Sequence, residues 1–340
     1  ALDGVAQDVH GKAGVAGEFD PSLLPENRLS RLDLAEWLCA PENPLTARAV
    51  MNRLWKEFFG RGLSIAVEDL GGQGDPPSHP ELLDWLADEF RSSGWDMKHM
   101  IRTVVMSAAY RQSSNLRPER MEPDPLNRLL ASQNPRRLDA EFVRDNALAI
   151  AGILNTDLGG PSAKPYQPPG YYSQIQFPDR DYIAHTDDRQ WRRGLYMHWQ
   201  RTFLHPMLAN FDAPAREEGV CARPVSNTPQ QALTLLNDPT FVEAARLFAL
   251  RILPAGDDTA RIQQAMQLAL ARPASARELE SLAKFLAAQR EAFKAAPEDA
   301  KKYNAIGLKP VPDGIDPVEL AAWSSVCRVV LNLHETITRY

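Results

Sequence analysis

At 340 residues, with 44% apolar and 24% charged side chains, the chain has ordinary globular composition and enough length for a sizeable core. A net charge of -6, a pI near 5.7 and the lack of any lysine/arginine run argue against a nucleic-acid groove, and no stretch nears the roughly 20 apolar residues of a membrane helix. Ala1–Asp20 holds no apolar signal-peptide core, and the abrupt start at A-L-D-G-V reads as a fragment or a processed product.

Residues 1–30 are Gly-rich and weakly patterned, an extended lead-in read as the tail of a preceding domain. Leu32, Leu34, Ala35, Trp37 and Leu38 predict a short helix. Asn43-Pro44 then supplies a cap followed by Pro at a helix start. That helix carries Val50, Leu54, Phe58 and Phe59 as its apolar stripe and stops at Gly60. Ser78–Glu81 fits a capping box opening a helix through Leu82, Leu83, Leu86 and Phe90, and Asp96 caps the next, with Met100, Val104 and Met106 inward. A further helix is expected from Leu138 to Gly152.

Residues 159–187 then change texture, with Gly159, Gly160, Pro161, Pro165, Pro168, Pro169, Gly170 and Pro178. Loops of this length are uncommon in compact domains, and the aromatic residues here argue for order. Helix signals resume over Asp188–Phe203. Thr228-Pro229, Asp238-Pro239 and Asp316-Pro317 each read as a cap followed by Pro, and Ser275–Glu278 as a second capping box; the last helix ends near Leu333. Strand alternation is nearly absent. The expected class is mainly α: a multi-helix orthogonal array over 31–340 as one domain, with one long ordered aromatic/Pro-rich loop insertion and little or no sheet.

The run from Asn43 to Ser114 (N-P-L-T-A-R, N-R-L-W-K-E-F-F-G-R-G-L, P-P-S-H-P-E-L-L-D-W-L-A, G-W-D-M-K-H-M, Y-R-Q-S-S) resembles the planctomycete-type C-terminal domain of unknown function. Arg136–Glu141, Phe211–Pro214 with Arg216-Glu217, Ser226–Leu233, Leu236–Pro239, Phe241–Arg246 and Leu331–Glu335 extend the resemblance over roughly Arg31 to Arg339. In large secreted proteins that domain follows a cytochrome-c-like domain and a second uncharacterised one. The resemblance implies an exported, periplasmic or cell-surface protein whose partners are its own upstream domains. It implies haem c on a companion domain, no cofactor in this chain, and no catalytic residues. Its link to polysaccharide processing is one of association.

Tyr166–Phe211 holds ten of the 27 aromatic residues. Tyr and Trp join an apolar face to a polar handle, which suits stacking on sugar rings. Tyr171, Tyr172, Trp191, Tyr196 and Trp199 are the candidate ligand-binding aromatics. Arg193 and Arg216 are candidate anion holders, among the interleaved Arg180, Arg189, Arg192 and Arg201. The competing reading is that a long loop needs aromatics to pin it to a helical core.

Asp212 with Glu217 is the candidate carboxylate pair for general acid and base work, Arg201 and Arg216 holding an anionic group and His198 the alternative base. Against that stands an ordinary Asp–Arg pair at a helix end. His198 and His205 lie two helical turns, about 10.5 Å, apart, too far to share a metal, so no metal site is expected. Gly71–Pro77 lacks the lysine and preceding strand of a nucleotide loop. Arg53, Arg61, Arg136, Arg137 and Arg144 with Asp69, Asp139, Glu141 and Asp145 read as internal bracing. Cys39, Cys221 and Cys327 read as small buried residues outside any C-x-x-C motif. Three functions follow: a glycan-binding module, a glycan-processing enzyme (a hydrolase or the substrate half of a cytochrome-linked oxidation), or a non-catalytic scaffold that docks the upstream domains.

Overall fold

The computed structural model describes residues 30–340 except 72, 116–118, 120–121, 175–180 and 202. All of the lead-in but Ser30, together with Phe177, Pro178 and Arg180 of the loop, lies outside the described residues. The fold is mainly α, with twelve α-helices among the described residues and one two-strand ladder, β1 (Arg136–Arg137) with β2 (Thr338–Arg339). The chain clusters into two compact units. One runs to Arg136 and takes in Tyr340; the other is Arg137–Arg339.

The first unit holds α1 (Arg31–Cys39), α2 (Thr46–Phe59), α3 (Pro80–Ser92) and α4 (Met97–Met106). Caps set its helix starts. Asn43 Oδ1 accepts from Leu45 N and Thr46 N ahead of α2, and the Asp96 side chain accepts from Lys98 N and His99 N ahead of α4. The chain leaves α2 through Gly60 at φ 77°, a left-handed position that favours glycine. Two expectations shift. The buried stripe of α2 is Ala47, Met51, Trp55 and Phe59, while Val50, Leu54 and Phe58 pack at its margin. Trp55 and Phe59 stack at 4.2 Å, so the large rings define the buried side. The Ser78 capping box does not form: His79 takes the cap position, and Ser78 Oγ lies 3.0 Å from His79 Nδ1 instead.

The second unit holds α5 (Ala140–Ala151), α6 (Pro206–Asn210), α7 (Pro229–Asn237), α8 (Pro239–Ile252), α9 (Asp258–Leu270), α10 (Ala276–Ala295), α11 (Pro297–Asn304) and α12 (Pro317–Leu331). α12 buries an unbroken run from Leu320 to Cys327 and packs on α8, α10 and α11. A helix buried over two full turns, its Ser324 and Ser325 hydroxyls bonded to the Leu320 and Ala321 carbonyls, belongs at the centre of its unit. α8 packs on both α12 and α5, with Phe241 and Phe248 fully buried. The Pro-started helices α7, α8 and α12 begin where the sequence places them, with Thr228, Asp238 and Asp316 as caps.

The helix expected over Asp188–Phe203 is absent. Two short 3₁₀ turns, Asp188–Trp191 and Gly194–Tyr196, stand there, and Met197 forms a bridge with Ala163. The reason is competition for backbone groups. The carbonyls of Gln190 and Arg192 are taken by the buried Arg144 guanidinium, that of Trp191 by Asn155 N, and the Gly194 N–H by Asp145 Oδ1 at 2.6 Å. Cys39 and Cys221 are exposed, and only Cys327 is the small buried residue expected of all three.

Ion-pair bracing exists, and several of its partners differ from those read from sequence. Glu141 pairs with Arg223, Arg136 with Glu57 and Arg137 with Asp212, while Arg144 lies 3.9 Å from Asp145. Two denser networks join the later helices: Arg290 with Asp258 and Glu319, and Arg272 with Glu278 and Glu335. Hydrogen bonds from Arg272, then from Ser275, hold the Glu278 carboxyl down to about 2 from its ordinary 4.5. A depressed carboxylate adds stability that is complete above the unfolded value and disappears as pH falls through the folded one. The melting temperature is therefore expected to decline between pH 4.5 and about 2, followed by circular dichroism. Arg272→Ala should melt lower at pH 7 and lose less than the parent over that acid interval.

Candidate functional site

The second unit carries a groove of about 490 Å³, walled by loop residues 166–169, by α6, and by α7 with the Asp238-Pro239 link into α8. Local sequence explains each wall. Pro206, Pro229 and Pro239 each sit at the first turn of a helix, so three helix starts border one depression. Pro168 and Pro169 stiffen the opposing loop.

Tyr166 forms the aromatic part of the wall, and its three polar groups are all held. Its N–H donates to Gln190 Oε1 at 3.1 Å, its carbonyl accepts from His205 Nε2 at 2.6 Å, and its hydroxyl donates to Glu243 Oε2 at 2.9 Å. His205 Nδ1 accepts from Met207 N at 3.3 Å, which fixes the neutral ring with its proton on Nε2. Burial pulls the His205 pKa below its usual value, against the bond to the Tyr166 carbonyl. Burial, then the Glu243 charge, pushes the Tyr166 phenol well up, so it stays a donor.

Glu243 is fully buried. Its Oε2 also accepts from Trp191 Nε1 at 3.0 Å, and its Oε1 accepts from Leu308 N at 2.6 Å and Lys309 N at 2.7 Å. The α7 side of the groove is neutral and polar. Asn210 Nδ2 donates to Thr234 Oγ1 at 2.8 Å, Thr234 Oγ1 donates to the Gln230 carbonyl, and Leu233 is exposed. Asp238 spends Oδ1 on Thr240 N as the cap of α8.

The site residues read from sequence lie elsewhere. Asp212 follows α6 at φ 61° and accepts from Arg137 Nη2 at 2.5 Å and from Ser226 N and Oγ at 2.9 and 2.7 Å. Burial acts to raise its pKa, but the Arg137 and Ser226 bonds prevail and hold it below the usual range, which suits an ion-paired brace rather than a proton donor. Glu217 is exposed, and its carbonyl accepts from Arg201.

Trp191 and Tyr172 are core side chains, 4% and 7% exposed, and offer no open ring face. Tyr171 donates to the Leu204 carbonyl; Tyr196 accepts from Gly159 N, with Arg192 over its ring. Arg193 is half-buried, within electrostatic reach of Asp145. Arg216 stacks 3.7 Å from Trp199, a contact between two of the candidate ligand-binding residues. His198 is half-buried, its ring 6.5 Å from that of Tyr182.

Asn210, Gln230, Leu233, Asn237 and Asp238, which line the groove, carry no site signal in the sequence. The available signals, Thr228-Pro229 and Asp238-Pro239, register in sequence only as helix starts. Among the described residues no group of three or more His, Cys, Asp or Glu is placed to hold a metal ion. No described helix is long and apolar enough to cross a membrane.

The model of a family described as PSD1, protein of unknown function (DUF1553), matches residues 30–286. No curated protein and no solved structure matches the chain.

Removing the Glu243 carboxylate strands two backbone and two side-chain donors in the interior. Glu243→Ala should lower the urea unfolding free energy by about 3–5 kcal/mol and red-shift tryptophan emission as Trp191 loses its partner. Glu280→Ala, which removes an exposed pair with Lys284, should cost less than about 1 kcal/mol.

Proposed function

We propose that this chain, which belongs to the DUF1553 family of proteins of unknown function, is a non-catalytic binding domain whose groove takes a segment of glycan. The observation that carries the reading is the 490 Å³ groove with Tyr166 fixed at three polar atoms in its wall. That volume lies in the ordinary range of small-ligand sites. A wall already ordered loses little conformational freedom when a ligand arrives. Prolines, Leu233 and the Tyr166 ring offer apolar faces to the C–H faces of sugars, and neighbouring amides offer hydrogen bonds. The reading sets the domain in an exported protein at the periplasm or cell surface, beside upstream domains that include a haem-bearing one. That setting rests on the sequence resemblance alone.

A second role, docking of those upstream domains, is favoured by a separate observation. None of the residues of α1 is buried, although Leu32, Leu34, Trp37 and Leu38 are large and apolar. Trp37→Glu should weaken capture of the upstream domains supplied in trans and leave glycan retention unchanged.

The primary reading is tested by affinity electrophoresis through gels loaded with neutral, uronic and sulfated polysaccharides. Retention is expected on at least one. Leu233→Glu and Gln230→Ala, both at exposed positions, should each weaken it about tenfold, near 1.4 kcal/mol, with an unchanged melting temperature. Mobility that no polysaccharide alters would sink the reading.

A further inference from the structure

From the chemistry of the groove lining we infer that its ligand is an uncharged, polyhydroxylated chain and that uronic and sulfated glycans are turned away. The inference rests on the glycan-binding reading and adds the substrate class to it. Among the described residues that line the groove there is no lysine or arginine, and Asp238 is the one charged side chain. Several arginines of this unit are engaged away from the groove lining. Arg144 is fully buried and spends its guanidinium on the Gln190 and Arg192 carbonyls; Arg192 reaches the Pro161 carbonyl; Arg216 lies on Trp199. A carboxylate or sulfate entering the groove would meet the Asp238 charge with no cation among the described lining residues to offset it.

The remaining polar groups suit hydroxyls. A sugar hydroxyl both donates and accepts, and a primary amide does the same without charge. Asn210 and Asn237 use Nδ2 internally, on Thr234 Oγ1 and the Leu233 carbonyl, which leaves both Oδ1 atoms as acceptors. The Gln230 side chain, exposed in the groove lining, makes no bond to the described residues. Asp238, with Oδ1 on Thr240 N, has Oδ2 to accept from a hydroxyl. Between these groups lie Pro168, Pro169, Pro206 and Leu233, apolar surface that can face the C–H side of a pyranose ring.

The test extends the gel panel to neutral dextran and hydroxyethyl cellulose, anionic alginate and carrageenan, and a cationic glucosamine polymer, each at 0.15 M and 1 M NaCl. The inference expects retention on a neutral polymer, changed less than twofold by salt because no ion pair is screened. Retention on the anionic polymers should be at least tenfold weaker. Asp238→Asn keeps an amide oxygen for the α8 cap and should narrow that gap. Anionic or cationic polymers that bind better than neutral ones, lose binding in 1 M NaCl and lose it in Leu233→Glu would overturn the inference and leave the glycan-binding reading standing. An Asp238→Asn variant with an unchanged neutral-to-anionic ratio would also overturn the charge argument. No retention on any polymer would remove the reading and the inference together.

Discussion

A carboxylate taken out of water costs several kcal/mol unless donors surround it, and the second unit is organised around one such carboxylate. Glu243 sits at 0% exposure on α8 and is met by four donors from three separate stretches of chain: Tyr166, Trp191, and the adjacent Leu308 and Lys309 amides. Charge-assisted bonds of this kind are roughly twice as strong as neutral ones, and here they also fix geometry. The same carboxylate restricts its surroundings. Gly307 stands at φ 101°, and a Cβ there would overlap the Glu243 side chain, so the chain can pass only as glycine. One side chain thereby joins a core helix, the wall of the groove and the segment that leads toward α12.

A second anchor on α5 works through backbone groups. Arg144 collects the carbonyls of Gln190 and Arg192, and Asp145 collects the Gly194 N–H. These bonds consume what a helix over 188–203 would have used for itself, so helix-favouring sequence becomes two 3₁₀ turns on a helical core. Gly194 is needed for the approach, because a Cβ there would fall 2.7 Å from Glu141 Cβ. Burial pushes the Asp145 carboxyl up, against its bond from Gly194 N–H and the nearby Arg144 charge. Glu243 and the Arg144/Asp145 pair fasten the aromatic loop from two directions. That fastening is why the groove edge at Tyr166 can serve as a fixed surface.

The parts of this fold legible in sequence are those settled within a few residues. The Asp96 and Asp316 caps, the Ser275–Glu278 box, the Pro-started α7 and α8, and the left-handed exits at Gly60 and Gly152 are local chemistry and appear as read. The buried side of α2 was misread by one residue, because apolar residues flank both sides and only packing selects the Trp55–Phe59 stack. Ion-pair partners were not legible, since Arg137 meets Asp212 across 75 residues and Glu141 meets Arg223 across 82. The groove was hidden for the same reason. Its walls come from residues 166–169 and 206–239, and the clues at Thr228-Pro229 and Asp238-Pro239 are helix starts in any sequence.

The aromatic enrichment was visible, but it marks attachment more than recognition. Trp191 gives its N–H to Glu243, Tyr182 and Tyr171 give their hydroxyls to the Pro165 and Leu204 carbonyls, and Tyr172 packs against Tyr182 and Phe203. A loop of irregular backbone has few internal hydrogen bonds to hold it, so large side chains with polar tips hold it instead. What such a loop can offer a ligand is then decided by what its attachments leave uncovered. At Tyr166 the hydroxyl is spent inward, while the proline run that follows turns its apolar surface to α7, where the exposed side chains are amides and Leu233. Asp212, the carboxylate that looks most like chemistry in the sequence, is ion-paired with Arg137, an arginine the sequence reads as bracing.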